Sequence, residues 1–313
     1  MLCILIYGLR KKLSLDTLVR DVDINAMIKL LLPLVLLFVS LTCFGYTPEL
    51  IKEWRQTAEQ GDAEAQNHMG FIYGTGNGVP KDYAEAVKWY RKAAEQGHAQ
   101  AQFNLALMYD FGNGVPEDDT EAVKWYRKAA EQGYAAAQYN LALRYFNGEG
   151  VAQDQAEAVK WIRKAAEQGE AMAQMGLGGM YEDGIGIPED DTEAVKWYRK
   201  AAVQGGALAQ FKLGDMYYFG YGVPKDNAEA VKWFRKAAEQ GHAQAQFNLG
   251  VMYDKGEGVP EDYVESYMWL NLAAAQGIED AKQNKGSLSK QMTKEQIAEG
   301  QKLSREWLAK RQK

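Results

Sequence analysis

Cysteine is nearly missing from this sequence: of its 313 residues only Cys3 and Cys43 are cysteines. Beyond residue 45 the chain therefore has no disulfide, no thiolate nucleophile and no cysteine metal ligand. Histidine is almost as scarce. His98 and His242 stand at equivalent positions of units four apart, and His68 has no second histidine near it in sequence. Nucleophilic, acid–base and metal catalysis thus lack their usual parts, and neither a catalytic residue, a metal nor a cofactor is expected. Positive charge is also in short supply. The formal net charge is −6, and the body after residue 45 reaches −8 once the more basic leader is set aside. Such a body is not drawn to phosphate backbones, which excludes nucleic acid as a partner. Disorder is excluded in turn, because 47% of residues are hydrophobic and 25% charged.

Long apolar runs are wanting as well. The one candidate, Leu30 to Leu41 behind Lys29, is twelve residues, short of the roughly 20 that a membrane span needs. It suits the apolar core of a secretory signal. Residues 1–45 are read as the signal region, with the true start at Met27 as a variant and Gly45–Tyr46 as a cleavage point. Removal of the signal leaves no stable membrane span, so a periplasmic or secreted location is expected. A lipoprotein anchored through Cys43 is the lesser alternative.

What the sequence has in abundance is a period. Glycine follows a run of small residues at Gly61, Gly97, Gly133, Gly169, Gly205, Gly241 and Gly277, every 36 residues. Tryptophan keeps the same step from Trp89 through Trp125, Trp161, Trp197 and Trp233 to Trp269. A fixed period of this length marks stacked supersecondary units. The boundaries are a capping helix at 46–60, six units at 61–96, 97–132, 133–168, 169–204, 205–240 and 241–276, and C-terminal capping helices from 278 to 313.

Within a unit each position has a structural reading. Ala63, Ala65, Met69, Gly70 and Tyr73 lie along a first helix, A; Gly76, Gly78, Val79 and Pro80 form a turn; a second helix, B, runs from Asp82 to Gln96. The turn glycines suit positive φ and not a nucleotide loop, since no βαβ pattern surrounds them. Asp82, Asp118, Asp154, Asp190, Asp226 and Asp262 each precede a Glu by three residues at the start of helix B. That spacing predicts a capping box, with Asp accepting from the N3 amide and Glu reaching back to the cap N–H. Six such boxes are not six active sites. Ala86, Trp89 and Ala93 fall on one apolar stripe of helix B. Lys88, Arg91 and Lys92 repeat as a basic stripe, read as a solvated face of mixed charge.

Both ends depart from the pattern. Thr47-Pro48-Glu49 reads as an N-cap, an N1 proline and a first-turn acid. In the last unit Met268 and Leu272 replace basic residues of helix B, which predicts a cover. The segment begun by Thr293-Lys294-Glu295-Gln296 and carrying Ile297, Leu303 and Trp307 is expected to fold back as that cover.

The unit as written from Ala63 to Gly97 resembles the Sel-one-like repeat family, relatives of the tetratricopeptide repeats, over residues 61–277. The resemblance implies an all-α, right-handed α/α superhelix and a role as an adaptor that assembles protein complexes. Exported bacterial members are associated with envelope assembly, polysaccharide secretion machinery or host contact. A cysteine-rich branch is linked to β-lactam binding or hydrolysis, and its paired cysteines are missing here.

Recognition is expected where the units differ. Phe111, Phe146, Tyr218, Phe219 and Tyr221, near the end of helix A and its turn, are the candidate partner-binding residues; aromatic anchors of this kind dominate interfaces. A second variable position, holding Asn67, Phe103, Tyr139, Met175, Phe211 and Phe247, reads as core between units. The expected function is a scaffold of the bacterial cell envelope that holds a protein or peptide in its groove, with envelope polysaccharide as a second candidate ligand. The alternatives are an enzyme acting on cell-wall glycan or a β-lactam, and a carbohydrate-binding module.

Overall fold

The computed structural model describes residues 46–311, which fall in two compact units, one ending at Trp89 and one beginning at Tyr90. The signal region read at residues 1–45 lies outside the described residues. All fifteen elements among the described residues are helices. The fold is an all-α solenoid of helix pairs in which consecutive helices pack on one another.

In the first unit α1 (Pro48–Glu59) starts as its sequence dictates: Thr47 accepts from the Leu50 amide, and proline occupies the first turn. It packs on α2 (Ala63–Thr75), capped by Asp62, and the two share a core of Ile51, Ala58, Met69, Ile72 and Trp89. The Arg55 guanidinium donates to the Tyr73 hydroxyl at 2.5 Å, and Gln66 Nε2 donates to the Ala58 carbonyl at 3.0 Å. These are bonds that helix B makes throughout the second unit, so α1 occupies the register of a helix B.

Helix α3 (Tyr83–Glu95) carries the chain from the first unit into the second. There A-type helices α4 (Ala99–Asp110), α6 (Ala135–Asn147), α8 (Ala171–Asp183), α10 (Ala207–Phe219) and α12 (Ala243–Lys255) alternate with B-type helices. The latter are α5 (Asp119–Glu131), α7 (Gln155–Glu167), α9 (Asp191–Val203), α11 (Asn227–Glu239) and α13 (Tyr263–Ala275). Two shorter-range closures follow, α14 (Glu279–Leu288) and α15 (Lys294–Arg311). Alanines such as Ala122 and Ala129 are fully buried and let the helices approach closely, while Trp125 and Trp161 fill the space between them.

The turn glycines have two separate causes. Gly148 ends α6 in the left-handed region with φ +77°, as a helix C-cap requires. Gly150 is also left-handed, and a side chain there would collide with the Asp119 carbonyl at the start of the preceding B helix. Gly186, Gly222 and Gly258 meet Gln155, Asp191 and Asn227 in the same way, so these repeats of the second unit are seated on their predecessors through points with no room for a Cβ.

The caps of the B helices follow half of the expected box. Asp118 Oδ1 accepts from the Glu121 amide at 3.0 Å, and Asp82, Asp154, Asp190, Asp226 and Asp262 do the same for their own N3 amides. The reciprocal half is absent. The cap N–H is already taken by a tyrosine carbonyl nine residues upstream, as in Asp118 to Tyr109 at 3.1 Å, because the turn folds back on helix A. The glutamate instead pairs with the lysine three residues on, Glu121 with Lys124 at 2.9 Å and Glu157 with Lys160 at 2.8 Å. Where Met268 replaces that lysine, Glu265 accepts from the Trp269 indole at 3.0 Å.

A buried line of glutamines ties the second unit together. Gln138 Nε2 donates to the Ala130 carbonyl at 3.0 Å, and its Oε1 accepts from Gln168 Nε2 at 2.7 Å. The same pair of bonds recurs at Gln102, Gln174, Gln210 and Gln246. Each buried amide thus joins its own helix to the B helices before and after it.

At the far end α15 lies over α13. Thr293 and Gln296 form a complete reciprocal box, with bonds of 3.2 and 2.9 Å. Trp307 meets Trp269 edge-on at 6.4 Å, and Gly300 admits the Tyr267 ring. Leu303 and Trp307 pack on the cluster that contains Met268 and Leu272.

Candidate functional site

The positions that repeat are occupied with holding the helices. Arginines of the B helices reach forward to a tyrosine of the next A helix: Arg91 to Tyr109 and Arg127 to Tyr145 at 2.6 Å, Arg163 to Tyr181 at 2.9 Å. Lys128, Lys164, Lys200 and Lys236 sit 3.7 to 4.3 Å from the centroids of the neighbouring Trp rings, within cation–π range. With the first lysine of each helix B paired to its glutamate, the basic stripe from α5 to α11 is satisfied internally. The histidines are also structural: His98 Nδ1 accepts from the Ala101 amide at 3.1 Å and His242 Nδ1 from Ala245 at 3.2 Å, each an N-cap. Burial lowers the His242 pKa and keeps it in the neutral form that can accept. Phe211, from the second variable position, stacks on this ring at 4.6 Å.

The positions that vary line the other face of the A helices, and they are coupled to the B helix behind them. Where Asp110 and Glu182 end an A helix, Tyr126 and Tyr198 donate a hydroxyl to them. Where Phe146 and Tyr218 stand instead, the B-helix partner is Ile162 or Phe234. Burial and the adjoining carboxylate both push the Tyr126 and Tyr198 hydroxyls far above their usual range, so they act only as donors. Arg144 replaces an apolar residue of this face and clamps Asp110, Asp119 at 3.2 Å and Glu149 at 2.6 Å. Lys212 holds Glu182 at 2.8 Å.

Two hollows open along this face. The larger, about 500 Å³, lies between α10, α12 and α14 over a floor of Phe234 and Met252. Asn248 and Asn284 face it from equivalent positions of neighbouring A-type helices, with Asp254 and Lys255 at its rim. Tyr218 and Phe219 form one wall; Tyr218 donates to Glu257 at 3.1 Å and meets Phe219 edge-on at 4.9 Å. Phe219 in turn stacks on Tyr221 at 5.5 Å, and both rings stay more than half exposed. The smaller hollow, about 230 Å³, lies between α6 and α8, where Gly176 and Gly179 leave space beside Phe146 and Asp183.

Of the five aromatic candidates, Tyr218, Phe219 and Tyr221 come together at one corner, Phe146 lines the second hollow, and Phe111 is 66% exposed outside both. The amides and carboxylates of the larger hollow were not among the sequence candidates. The signal available was the variable end of helix A, where Asp254 and Lys255 stand. Asp215, beside Asn248 at 3.4 Å, has its pKa raised to about 6 by burial, with Lys212 opposing and Glu182 adding to the effect. Burial and Glu261 raise that of Asp254, against the pull of Lys255. Among the described residues no group of three or more His, Cys, Asp or Glu is arranged to hold a metal.

The Sel1 repeat model matches residues 63–98, 99–134, 135–170, 171–206, 207–242 and 243–278. Among solved structures, a protective antigen of uropathogenic Escherichia coli with an SLR fold is 40% identical, with a TM-score of 0.75. The match covers 82% of this chain and 56% of that one, so this chain spans little more than half the antigen's length. A Sel1 repeat protein from Oxalobacter formigenes is 39% identical with a TM-score of 0.60, the match covering 68% of this chain and 86% of that protein. No functionally curated protein matches the chain. With six matched units and a shared fold at this identity, the chain belongs to the Sel1 repeat family.

Proposed function

We propose that this chain is a scaffold of the bacterial cell envelope that holds a protein or peptide in the hollow between α10, α12 and α14. One observation carries the reading: caps, ladders and core take up most of the repeated residues, whereas the wall of the hollow at Tyr218, Phe219 and Lys255 and the exposed Phe219–Tyr221 corner come from positions that vary from unit to unit. A hollow with an apolar floor and convergent polar groups is a usual form of a recognition site. Sel1 repeat proteins are in general interaction scaffolds, which agrees with it. The repeated acids cap helices or pair with lysine, so a binding role fits them better than catalysis. For an envelope location the support is the Lys29–Leu41 signal pattern; among the described residues no helix is long and apolar enough to cross a membrane.

Photo-crosslinking in cells, from a benzophenone placed at Phe146 or at Tyr221 of the full chain, tests this. A discrete adduct from Tyr221 is expected; one from Phe146 alone would move the interface to the hollow between α6 and α8. Adducts from the Lys124 and Lys160 face alone would move the interface to the B helices. Glycan in place of protein would favour a carbohydrate-binding module, for which the near-parallel Phe219 and Tyr221 rings are suited.

A further inference from the structure

We infer that the hollow between α10, α12 and α14 takes an extended peptide segment in which a lysine or arginine lies next to an apolar residue. The inference rests on the scaffold reading and names the chemistry of its partner. Four features of the hollow converge on that segment.

The first is charge. On the B helices from α5 to α11 the cations have their partners, as ion pairs, tyrosine bonds or ring contacts. Around the hollow the carboxylates Asp215, Asp254, Glu257 and Glu261 outnumber the cations Lys255 and Lys225. Neither Asp254 nor Asp215 has an ion-pair partner within 4.0 Å among the described residues, and Lys212, the cation nearest Asp215 in sequence, is held by Glu182. Burial raises the pKa of both aspartates, and Lys255 and Lys212 offset that only in part. A single guanidinium or ammonium at the Asp254 rim would add to that offset.

The second is the pair Asn248 and Asn284. They stand 36 residues apart, on successive A-type helices and at one repeat position. A side-chain amide offers a carbonyl acceptor and two N–H donors, which complement the single N–H and the carbonyl of a peptide bond. Asn248 already accepts from Gln244 at 3.2 Å and donates one N–H to Asp215 at 3.4 Å, so its second N–H and the exposed Asn284 amide are the groups left for an extended backbone. The third feature is the floor: Phe234, Met252 and Leu288 give an apolar base to a hollow of about 500 Å³, ample for one aliphatic or aromatic side chain. The fourth is the Phe219–Tyr221 corner, whose exposed ring faces can take the stem or charge of the basic residue. An acidic segment would meet an excess of carboxylates, and a purely apolar one would leave Asp254 without an ion-pair partner.

The test is a selection of random dodecapeptides displayed on phage against the full chain, followed by titration of the best synthetic peptide. Enrichment of lysine or arginine beside an apolar residue is expected. Asp254→Asn and Asn284→Ala should each weaken that peptide at least tenfold while leaving the melting temperature unchanged. Peptides that bind at this hollow, lost in Phe219→Ala, yet show no basic preference and ignore Asp254→Asn would overturn the inference and leave the scaffold reading standing. No enrichment over bare support, or binding untouched by Asp254→Asn, Asn284→Ala and Phe219→Ala alike, would overturn both.

Discussion

At the residue scale, neighbouring positions of one type carry different loads. Gly133 and Gly150 both have positive φ, yet a Cβ on Gly133 meets nothing within 4 Å, whereas on Gly150 it strikes the Asp119 backbone. Gly133→Ala should therefore cost about 1–2 kcal/mol, the left-handed penalty alone. Gly150→Ala should cost roughly 3–4 kcal/mol, because overpacking against the preceding repeat is added. Chemical denaturation of the two variants checks the ordering. Asp215 gives a pH prediction of definite sign. Its folded pKa of about 6 lies above the value near 3.9 expected for an unfolded aspartate. Between those values the folded chain keeps a proton that the unfolded chain has released, so the contribution of Asp215 to stability falls as pH rises through the window and levels off above it. Asp215→Asn should flatten this slope and raise stability at pH 7.5 by about 1 kcal/mol, below the full linkage value because the group keeps water contact. Melts of both proteins at pH 4.5 and 7.5 measure it.

At the scale of the element, stability depends on groups that join helices and not on the helices themselves, most of them only about three and a half turns long. Gln138 belongs to α6 but bonds α5 through Ala130 and reaches the end of α7 through Gln168. Gln138→Leu fills nearly the same space and orphans a buried carbonyl and an amide. A loss of about 2–4 kcal/mol is expected, where an exposed Gln→Leu such as Gln100→Leu should lose next to nothing. Removal of α15 by truncation after Lys290 would uncover Tyr267, Met268, Trp269 and Leu270, all buried now. That protein should melt lower and associate at micromolar concentration; size-exclusion chromatography and calorimetry would show both.

How much of this was legible beforehand follows from the range of each interaction. The turns, the aspartate caps and the alanine stripes are local, and the 36-residue step repeats the same local message in every unit. The fold-back of the last helix was legible because Met268 and Leu272 broke the basic pattern. The glutamine ladder was not, since a buried glutamine looks in sequence like any polar residue of a helix. Nor was the fate of the capping-box glutamates, which turned on a tyrosine carbonyl brought in by the turn. At the site, the Tyr218, Phe219 and Tyr221 cluster could be found from composition alone. The hollow beside it is enclosed by α10, α12 and α14, and only the packing of three helices shows that.

For the molecule as a whole, we propose a division of labour in which the regular positions hold the repeats together and irregular ones such as Phe219 and Tyr221 are left for recognition. It is tested most directly by measuring adduct yield and melting temperature side by side in two variants, each carrying a photo-crosslinker at position 255 beside the hollow. Phe219→Ala combined with Tyr221→Ala should lose the adduct and keep its melting temperature. Trp161→Ala, which empties a core position 5% exposed, should lose about 3–5 kcal/mol of stability. It should keep the adduct at temperatures where it remains folded. A lowered melting temperature in the first variant with the adduct retained would contradict the account.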